Sequence, residues 1–126
     1  AGVAATFARV TTRLVGRHMM VNTTGTGNAG RTLGTEGPFP LKDFRFLIEL
    51  NLIATFNLTR RSAQLMAENE PEDDERGVII NTASIAAFEG QIGQVAYTAS
   101  KSGIAVMCLP IAGIASEKMK LPDTDG

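Results

Sequence analysis

Hydrophobic residues fall into two short runs and two long stretches along the chain. The short runs, at residues 18–22 and 77–81, are bounded by glycine or polar residues, which predicts two β-strands. The second run is continuous at its centre rather than alternating, which favours a parallel strand buried on both faces. The long stretches, residues 41–67 and the segment that starts near Val95, have helical spacing. The pattern therefore predicts an α/β fold.

The helix predicted at residues 41–67 is apolar on nearly every face. Phe44, Leu47 and Ile48 fit one helical stripe, while Ile53 and Leu58 add apolar surface elsewhere. Such a helix is usually buried on more than one side. We expect the sheet to cover one side and a second protomer to cover the other.

A glycine pattern follows the first predicted strand. Gly25, Gly27 and Gly30 match G-x-G-x-x-G, the spacing of a dinucleotide-binding fingerprint. That fingerprint must open a helix whose N-terminus faces the pyrophosphate, but the sequence RTLGTEGPFP follows and contains two prolines and two glycines. We therefore reject the fingerprint interpretation.

Residues able to move a proton follow the second predicted strand. Ser84 comes just after its carboxyl end, where open α/β sheets bind their ligands, and Tyr97 and Lys101 are spaced to lie on one face of a helix. An ammonium beside a phenol favours the phenolate, and a serine hydroxyl can hold a substrate oxygen against it. Taken alone, this spacing of Tyr97 and Lys101 is more often an ordinary pair on a helix surface, with Ser84 a turn residue.

The wider segment INTASIAAFEGQIGQVAYTASKSGI resembles the active-site region of the short-chain dehydrogenase/reductase family. Within that family it is most similar to the type-2 3-hydroxyacyl-CoA dehydrogenases, also described as 17β-hydroxysteroid dehydrogenase type 10. The resemblance covers residues 17–111 and implies a partial doubly wound, Rossmann-like parallel sheet, with central strands and flanking helices only. We expect residues 1–126 to form one such partial domain. The family's Gly-rich N-terminal unit and C-terminal substrate region are not recognised in this sequence.

The resemblance implies a catalytic group. Tyr97 would be the acid/base and contact the substrate, Lys101 would stabilise its phenolate, and Ser84 would hold the substrate oxygen. Asn51, in the segment LIELNLIATFNLTR, matches the family's active-site asparagine, whose proposed role is to hold a water in a proton relay. Gln91 is a plausible substrate contact.

The resemblance also implies a nicotinamide cofactor, NAD. Asn22, Gly25, Tyr97 and Lys101 would bind it, with Asn22 and Gly25 lining its cleft. The implied reaction is the oxidation of a secondary alcohol, such as a 3-hydroxyacyl-CoA or a hydroxysteroid, to the ketone. The alternative is a non-catalytic relative that acts through association of its helices. By resemblance, the helices at residues 41–67 and 95–112 would build a homo-oligomer.

Composition narrows the remaining classes. Net charge −1 over 126 residues argues against a nucleic-acid partner, and we expect no membrane association because no apolar run approaches transmembrane length. One cysteine and one histidine predict neither a disulfide nor a metal site. Residues 1–15 contain Arg9 and Arg13 and no acidic residue. This pattern is typical of a mitochondrial transit peptide, but a domain helix with a basic outer face gives the same pattern. We expect a cytoplasmic protein, with the mitochondrial matrix as the alternative.

Overall fold

The computed structural model describes residues 18–116, with side chains through residue 112. Residues 1–17, with Arg9 and Arg13, and residues 117–126 lie outside the described residues. In chain order the elements are β1 (Met19–Asn22), β2 (Leu33–Gly34), β3 (Gly37–Pro38), α1 (Leu41–Leu47), a π-helical segment (Ile48–Ile53), α2 (Ala54–Met66), β4 (Val78–Asn81), a 3₁₀ turn (Ile85–Ala87) and α3 (Val95–Ser116).

The two predicted strands are neighbours in a parallel pair. Met19 lies opposite Val78 and Asn22 lies opposite Asn81, and the helices α1 and α2 form the connection between the strands. Because the strands run parallel, both carboxyl ends emerge at the same edge of the sheet. The segments after Asn22 and after Asn81 are therefore brought together, as the predicted α/β fold requires.

The prediction that β4 is buried on both faces is wrong for the described residues. Val78 and Ile80 are 42 % and 46 % exposed, as are their β1 neighbours Met19 and Val21 at 66 % and 56 %. The inward side chains alternate with these and pack towards α2, which contacts both strands. The described helices cover one face of the pair only, so the continuous apolar run does not produce two buried faces.

Between β1 and α1 the chain forms a small antiparallel hairpin. Leu33 pairs with Pro38 and Gly34 with Gly37, and Gly37 has a φ of 119°, which an L side chain rarely adopts. Helix α1 begins only at Leu41. No helix starts at the glycine-rich segment, and the rejection of a dinucleotide fingerprint there is confirmed.

The long helix extends over residues 41–66, close to the prediction, but its centre is not α-helical. Residues Ile48–Ile53 form a π-helical segment, and at its end the N–H of Ala54 bonds to the carbonyl of Glu49, five residues earlier. A π segment adds a residue to one turn and changes the direction of the side chains around it, and such segments are frequent at functional sites. Asn51, within it, is fully buried.

The face of this helix that packs towards the sheet is polar, which its apolar composition does not suggest. Thr55, Thr59 and Ser62 follow Asn51 at helical spacing and are at most 2 % exposed. The outward face instead carries large apolar side chains, including Phe46, Ile53 and Phe56, which are 46–57 % exposed. The expected burial of the second side is not provided by the described residues.

Helix α3 begins at Val95, as predicted, and packs closely against the π segment. The helices approach closely at Gly103, where an added Cβ atom would lie 2.8 Å from a methyl carbon of Leu52. Ala96, Ser100 and Ile104 on the same side of the helix are buried.

The same helix corrects the expectation that no apolar run approaches transmembrane length. Among the described residues, Val95–Ala112 is long and apolar enough to cross a membrane by length and composition alone. Core helices pass the same test. Only 22 % of the segment is buried, although Ser100 and Lys101 within it are at most 4 % exposed, and length and composition alone are weak evidence of a membrane span.

Gly103→Leu should lower the free energy of unfolding by about 1–3 kcal/mol, because the added side chain must displace Leu52 in a close helix contact. Val106→Leu on the same helix is the control, since Val106 is 72 % exposed and its change should stay within about 0.5 kcal/mol. Urea unfolding of both variants measures the difference. Equal stability of the two variants would show that α3 does not pack closely at Gly103.

Candidate active site

Asn22, at the end of β1, shapes the segment that follows it. Its Oδ1 accepts the backbone N–H of Thr24 at 3.0 Å, and its Nδ2 donates to Thr55 Oγ1 at 2.9 Å. The first bond is the local turn that asparagine often forms with the backbone two residues on. Because Asn22 is only 4 % exposed, it lies beneath the segment rather than in the wall of the cleft described below. Its contact with a cofactor stays a prediction.

Asn51 fixes the same segment from the helix side. Its Oδ1 accepts the N–H of Thr26 at 2.9 Å and its Nδ2 donates to the Thr26 carbonyl at 2.8 Å, so one side chain binds both backbone groups of one residue. The second hydrogen of Nδ2 donates to Ser100 Oγ at 3.0 Å. The amide therefore joins the segment after β1 to helix α3.

Lys101 lies at the bottom of the site. It is 4 % exposed, and its Nζ donates to the carbonyl of Thr82, just after β4, at 2.9 Å. Nζ also lies 5.9 Å from the centre of the Tyr97 ring, within the range of a cation–π contact. Among the described residues Lys101 has no carboxylate partner, although a buried ammonium is costly without hydrogen bonds or an opposite charge. Its remaining N–H groups are thus available to a ligand or to a phenolate.

A cleft of roughly 630 Å³ opens between the segment after β1 and the start of α3. We call it the Tyr97 cleft. The residues that line it come from the segment after β1, the end of β4 and the start of α3: Thr23, Gly25, Thr26, Gly27, Asn28, Ala29, Thr82, Ala83, Gln94, Tyr97 and Lys101. Three predicted site residues, Gly25, Tyr97 and Lys101, thus share one cavity.

Two glycines allow the backbone to approach the reactive side chains. A Cβ atom on Gly25 would lie 3.0 Å from Lys101 Nζ and 3.5 Å from Asn51 Oδ1. A Cβ atom on Gly27 would lie 3.4 Å from the ring of Tyr97. Side chains at these positions would narrow the cleft beside the ammonium and the phenol.

Ser84 precedes the 3₁₀ turn that follows β4. Its Oγ accepts the N–H of Ala86 at 3.2 Å, which stabilises the start of the turn. Ser84 is half-buried and is not among the residues that line the Tyr97 cleft, although its neighbour Ala83 is. Its hydroxyl retains the capacity to donate to a substrate oxygen. Its catalytic role stays a prediction.

Gln91 lies in a second, shallower cleft of roughly 770 Å³. This cleft extends along the loop at residues 90–93 and the side of α3 that carries Thr98. Gly93 closes one end, where its carbonyl accepts the N–H of Gly30 at 2.8 Å and joins the two loops. The structure places Gln91 outside the Tyr97 cleft, so its contact with substrate stays a prediction.

Sequence reasoning missed two residues that hold the site together, Thr55 and Ser100. Both are at most 1 % exposed and bond to predicted site residues. A signal was present for Thr55, because it follows Asn51 by four residues and therefore lies on the same side of the helix. Only the π segment shows that this polar row faces inward.

Comparison with known proteins places the chain. The family model described as short chain dehydrogenase matches residues 1–116. The chain is 50 % identical over 97 residues to a 3-hydroxyacyl-CoA dehydrogenase type-2 of Drosophila melanogaster, covering 75 % of this chain and 38 % of that protein. It is 62 % identical over 73 residues to the protein of that name from Rattus norvegicus, covering 57 % of this chain and 28 % of that protein. The chain thus spans 28–38 % of these relatives' lengths.

A solved structure of a 3-hydroxyacyl-CoA dehydrogenase type-2 from Mycobacterium avium superimposes with a TM-score of 0.81 at 35 % identity, covering 89 % of this chain and 45 % of that one. This match confirms the predicted fold class, a partial doubly wound parallel sheet. The resemblance first seen around Tyr97 extends along most of the chain, and the chain belongs to the short chain dehydrogenase family.

Proposed function

We propose that this protein is an NAD-dependent oxidoreductase that oxidises a secondary alcohol to the ketone. The observation that carries the proposal is the buried ammonium of Lys101 beside the Tyr97 ring, in a cleft that glycine backbone forms on its other side. This arrangement suits proton transfer at an alcohol or carbonyl oxygen. Membership of a dehydrogenase family supports the same chemistry, and the non-catalytic alternative is not favoured.

In the proposed reaction the phenolate of Tyr97 accepts the proton of the substrate hydroxyl as the carbonyl forms. Lys101 stabilises that phenolate through its positive charge. Ser84 donates a hydrogen bond to the same oxygen and holds the substrate for the transfer. Asn51 keeps the wall of the cleft in place, and a water bound near it would return the proton to solvent.

The residues of the Tyr97 cleft fit the nicotinamide end of NAD. Gly25 and Gly27 carry no side chain that would intrude into the cleft, and the N–H groups of Lys101 can bind the ribose hydroxyls. When bound, NAD supplies the hydride acceptor for the carbon that loses its hydrogen. The proton of the substrate hydroxyl is accepted by Tyr97.

Two substrate classes are proposed, 3-hydroxyacyl-CoA thioesters and hydroxysteroids. The similarity to proteins named 3-hydroxyacyl-CoA dehydrogenase type-2 favours the thioester. The second cleft, which carries Gln91 beside Thr98 and Val95, is a suitable place for the part of the substrate beyond the reacting carbon. We propose a cytoplasmic location, with the mitochondrial matrix as the alternative.

We also propose a homo-oligomer formed by residues 41–67 and 95–112. Phe46, Ile53 and Phe56 on the first helix and Val106 and Leu109 on the second are 46–80 % exposed. Large apolar side chains grouped on two helices are typical of an interface. Pairing of these helices with their copies across a two-fold axis would bury them.

Tyr97→Phe should lower turnover by about 10²–10⁴-fold, because it removes the proton acceptor without changing the shape of the cleft. The assay follows reduction of NAD with a short-chain 3-hydroxyacyl-CoA and with a hydroxysteroid as separate substrates. Binding of NADH, followed by its fluorescence, should change little in this variant. Turnover near that of the unmodified protein would refute the role of Tyr97.

Lys101→Ala should lower both turnover and affinity for NADH, because the same ammonium stabilises the phenolate and binds the ribose. The contrast with Tyr97→Phe separates the two roles in the same pair of assays. Loss of turnover with unchanged NADH affinity would remove Lys101 from the cofactor site.

Ile53→Glu combined with Phe56→Glu should convert the oligomer to monomers, because two carboxylates would have to be buried in an apolar contact. Ile92→Glu is the control, since it makes the same kind of change at an exposed residue outside both helices. Sedimentation velocity measures the outcome. An unchanged oligomer in the double variant would place the contact elsewhere.

A further inference from the structure

Ser100 connects the two sides of the Tyr97 cleft. It is fully buried on α3, one turn after Tyr97, and its Oγ donates to the Tyr97 carbonyl at 2.8 Å. The same oxygen accepts Nδ2 of Asn51 at 3.0 Å, and Asn51 in turn binds both backbone groups of Thr26. A continuous chain of hydrogen bonds therefore runs from the helix turn that carries the phenol to the opposite wall.

The polarity of this chain is fully determined by its donors and acceptors. The hydroxyl hydrogen of Ser100 is used by the Tyr97 carbonyl, so towards Asn51 the serine oxygen can only accept. Asn51 must then present its amino group to Ser100 and to the Thr26 carbonyl, which leaves its oxygen for the Thr26 N–H. Thr26 and Ser100 therefore favour the same orientation of the amide, and Ser100 adds the bond that ties it to α3.

Loss of the Ser100 hydroxyl would remove two hydrogen bonds, one to the Tyr97 carbonyl and one from Asn51. Alanine would leave the backbone of α3 intact, but one N–H of Asn51 would be buried without its partner. The bonds to Thr26 would still orient the amide, but the amide would no longer be tied to α3. The segment at residues 23–29 would lose a fixed distance from Tyr97.

We propose that Ser100 is a positioning residue. It acts through Asn51 to hold the cleft wall at residues 25–27 at a fixed distance from Tyr97 and Lys101. The proposal rests on the proposed function, because the distance it sets matters for the reaction between a bound cofactor and a substrate on Tyr97. Small displacements of reacting groups lower rates strongly, so a residue that touches neither substrate nor cofactor can control turnover.

Ser100→Ala should lower kcat about tenfold and raise KM for NAD, while the protein remains folded. Thr59→Val is the matched control, because it removes another buried hydroxyl, 2 % exposed, whose hydrogen bonds go to Asn81 and not to the cleft. Thermal unfolding should show similar losses of stability in the two variants. Equal kcat and KM in both variants would reduce Ser100 to a purely structural residue and overturn the proposal.

A double-mutant cycle tests whether Ser100 acts through Asn51. If it does, Ser100→Ala should add little to kcat once Asn51→Ala is present, because both changes remove the same link. Fully multiplicative effects on kcat would contradict the proposal.

The side-chain amide of Asn51 gives a readout that does not depend on activity. Its NH₂ signals, assigned by their loss in Asn51→Ala, should exchange slowly with solvent in the unmodified protein and faster in Ser100→Ala. Thr59→Val should leave them unchanged. Absence of hydride transfer in the unmodified protein would refute the proposed function alone, whereas unchanged exchange in Ser100→Ala would refute the role of Ser100.

Discussion

The site depends on one buried amide. Asn51 has no exposed surface, and its side chain satisfies both backbone groups of Thr26 and the hydroxyl of Ser100. The segment that it binds has no helix or strand of its own, so side-chain hydrogen bonds replace a regular backbone ladder there. Asn51 takes this inward position within the π-helical segment. Without the amide, one wall of the cleft would have little to fix it.

The parallel strand pair supplies the second constraint. Because β1 and β4 end at the same edge, Asn22 and Thr82 hold neighbouring parts of the site, the first through the N–H of Thr24 and the second through Nζ of Lys101. The buried ammonium is stabilised by that single carbonyl and by the Tyr97 ring. Its unused donors are best satisfied when a ligand or a phenolate is present. The geometry and the electrostatics of the site therefore both favour proton transfer by Tyr97.

Much of this could be predicted from the sequence. The two strands, the start of α3 and the facing of Tyr97 and Lys101 follow from hydrophobic periodicity and helical spacing. The parallel pairing of the strands agrees with the doubly wound sheet that the family resemblance implied. The π segment could not, because apolar residues lie on nearly every side of this helix and hide the shift in spacing that one added residue makes. The exposed faces of Val78 and Ile80 were missed for a different reason: a continuous apolar run shows what a strand could bury, not what covers it.

Backbone hydrogen exchange at Thr26 tests the central claim most directly. Thr26 is exposed and lies in an irregular segment. The account nevertheless predicts that its N–H exchanges slowly, because the acceptor is the buried Oδ1 of Asn51. In Asn51→Ala it should exchange much faster, while the N–H of Val78, bonded to the carbonyl of His18 in the strand pair, keeps its protection. Exchange of Thr26 at the rate of an unstructured peptide in the unmodified protein would contradict the account.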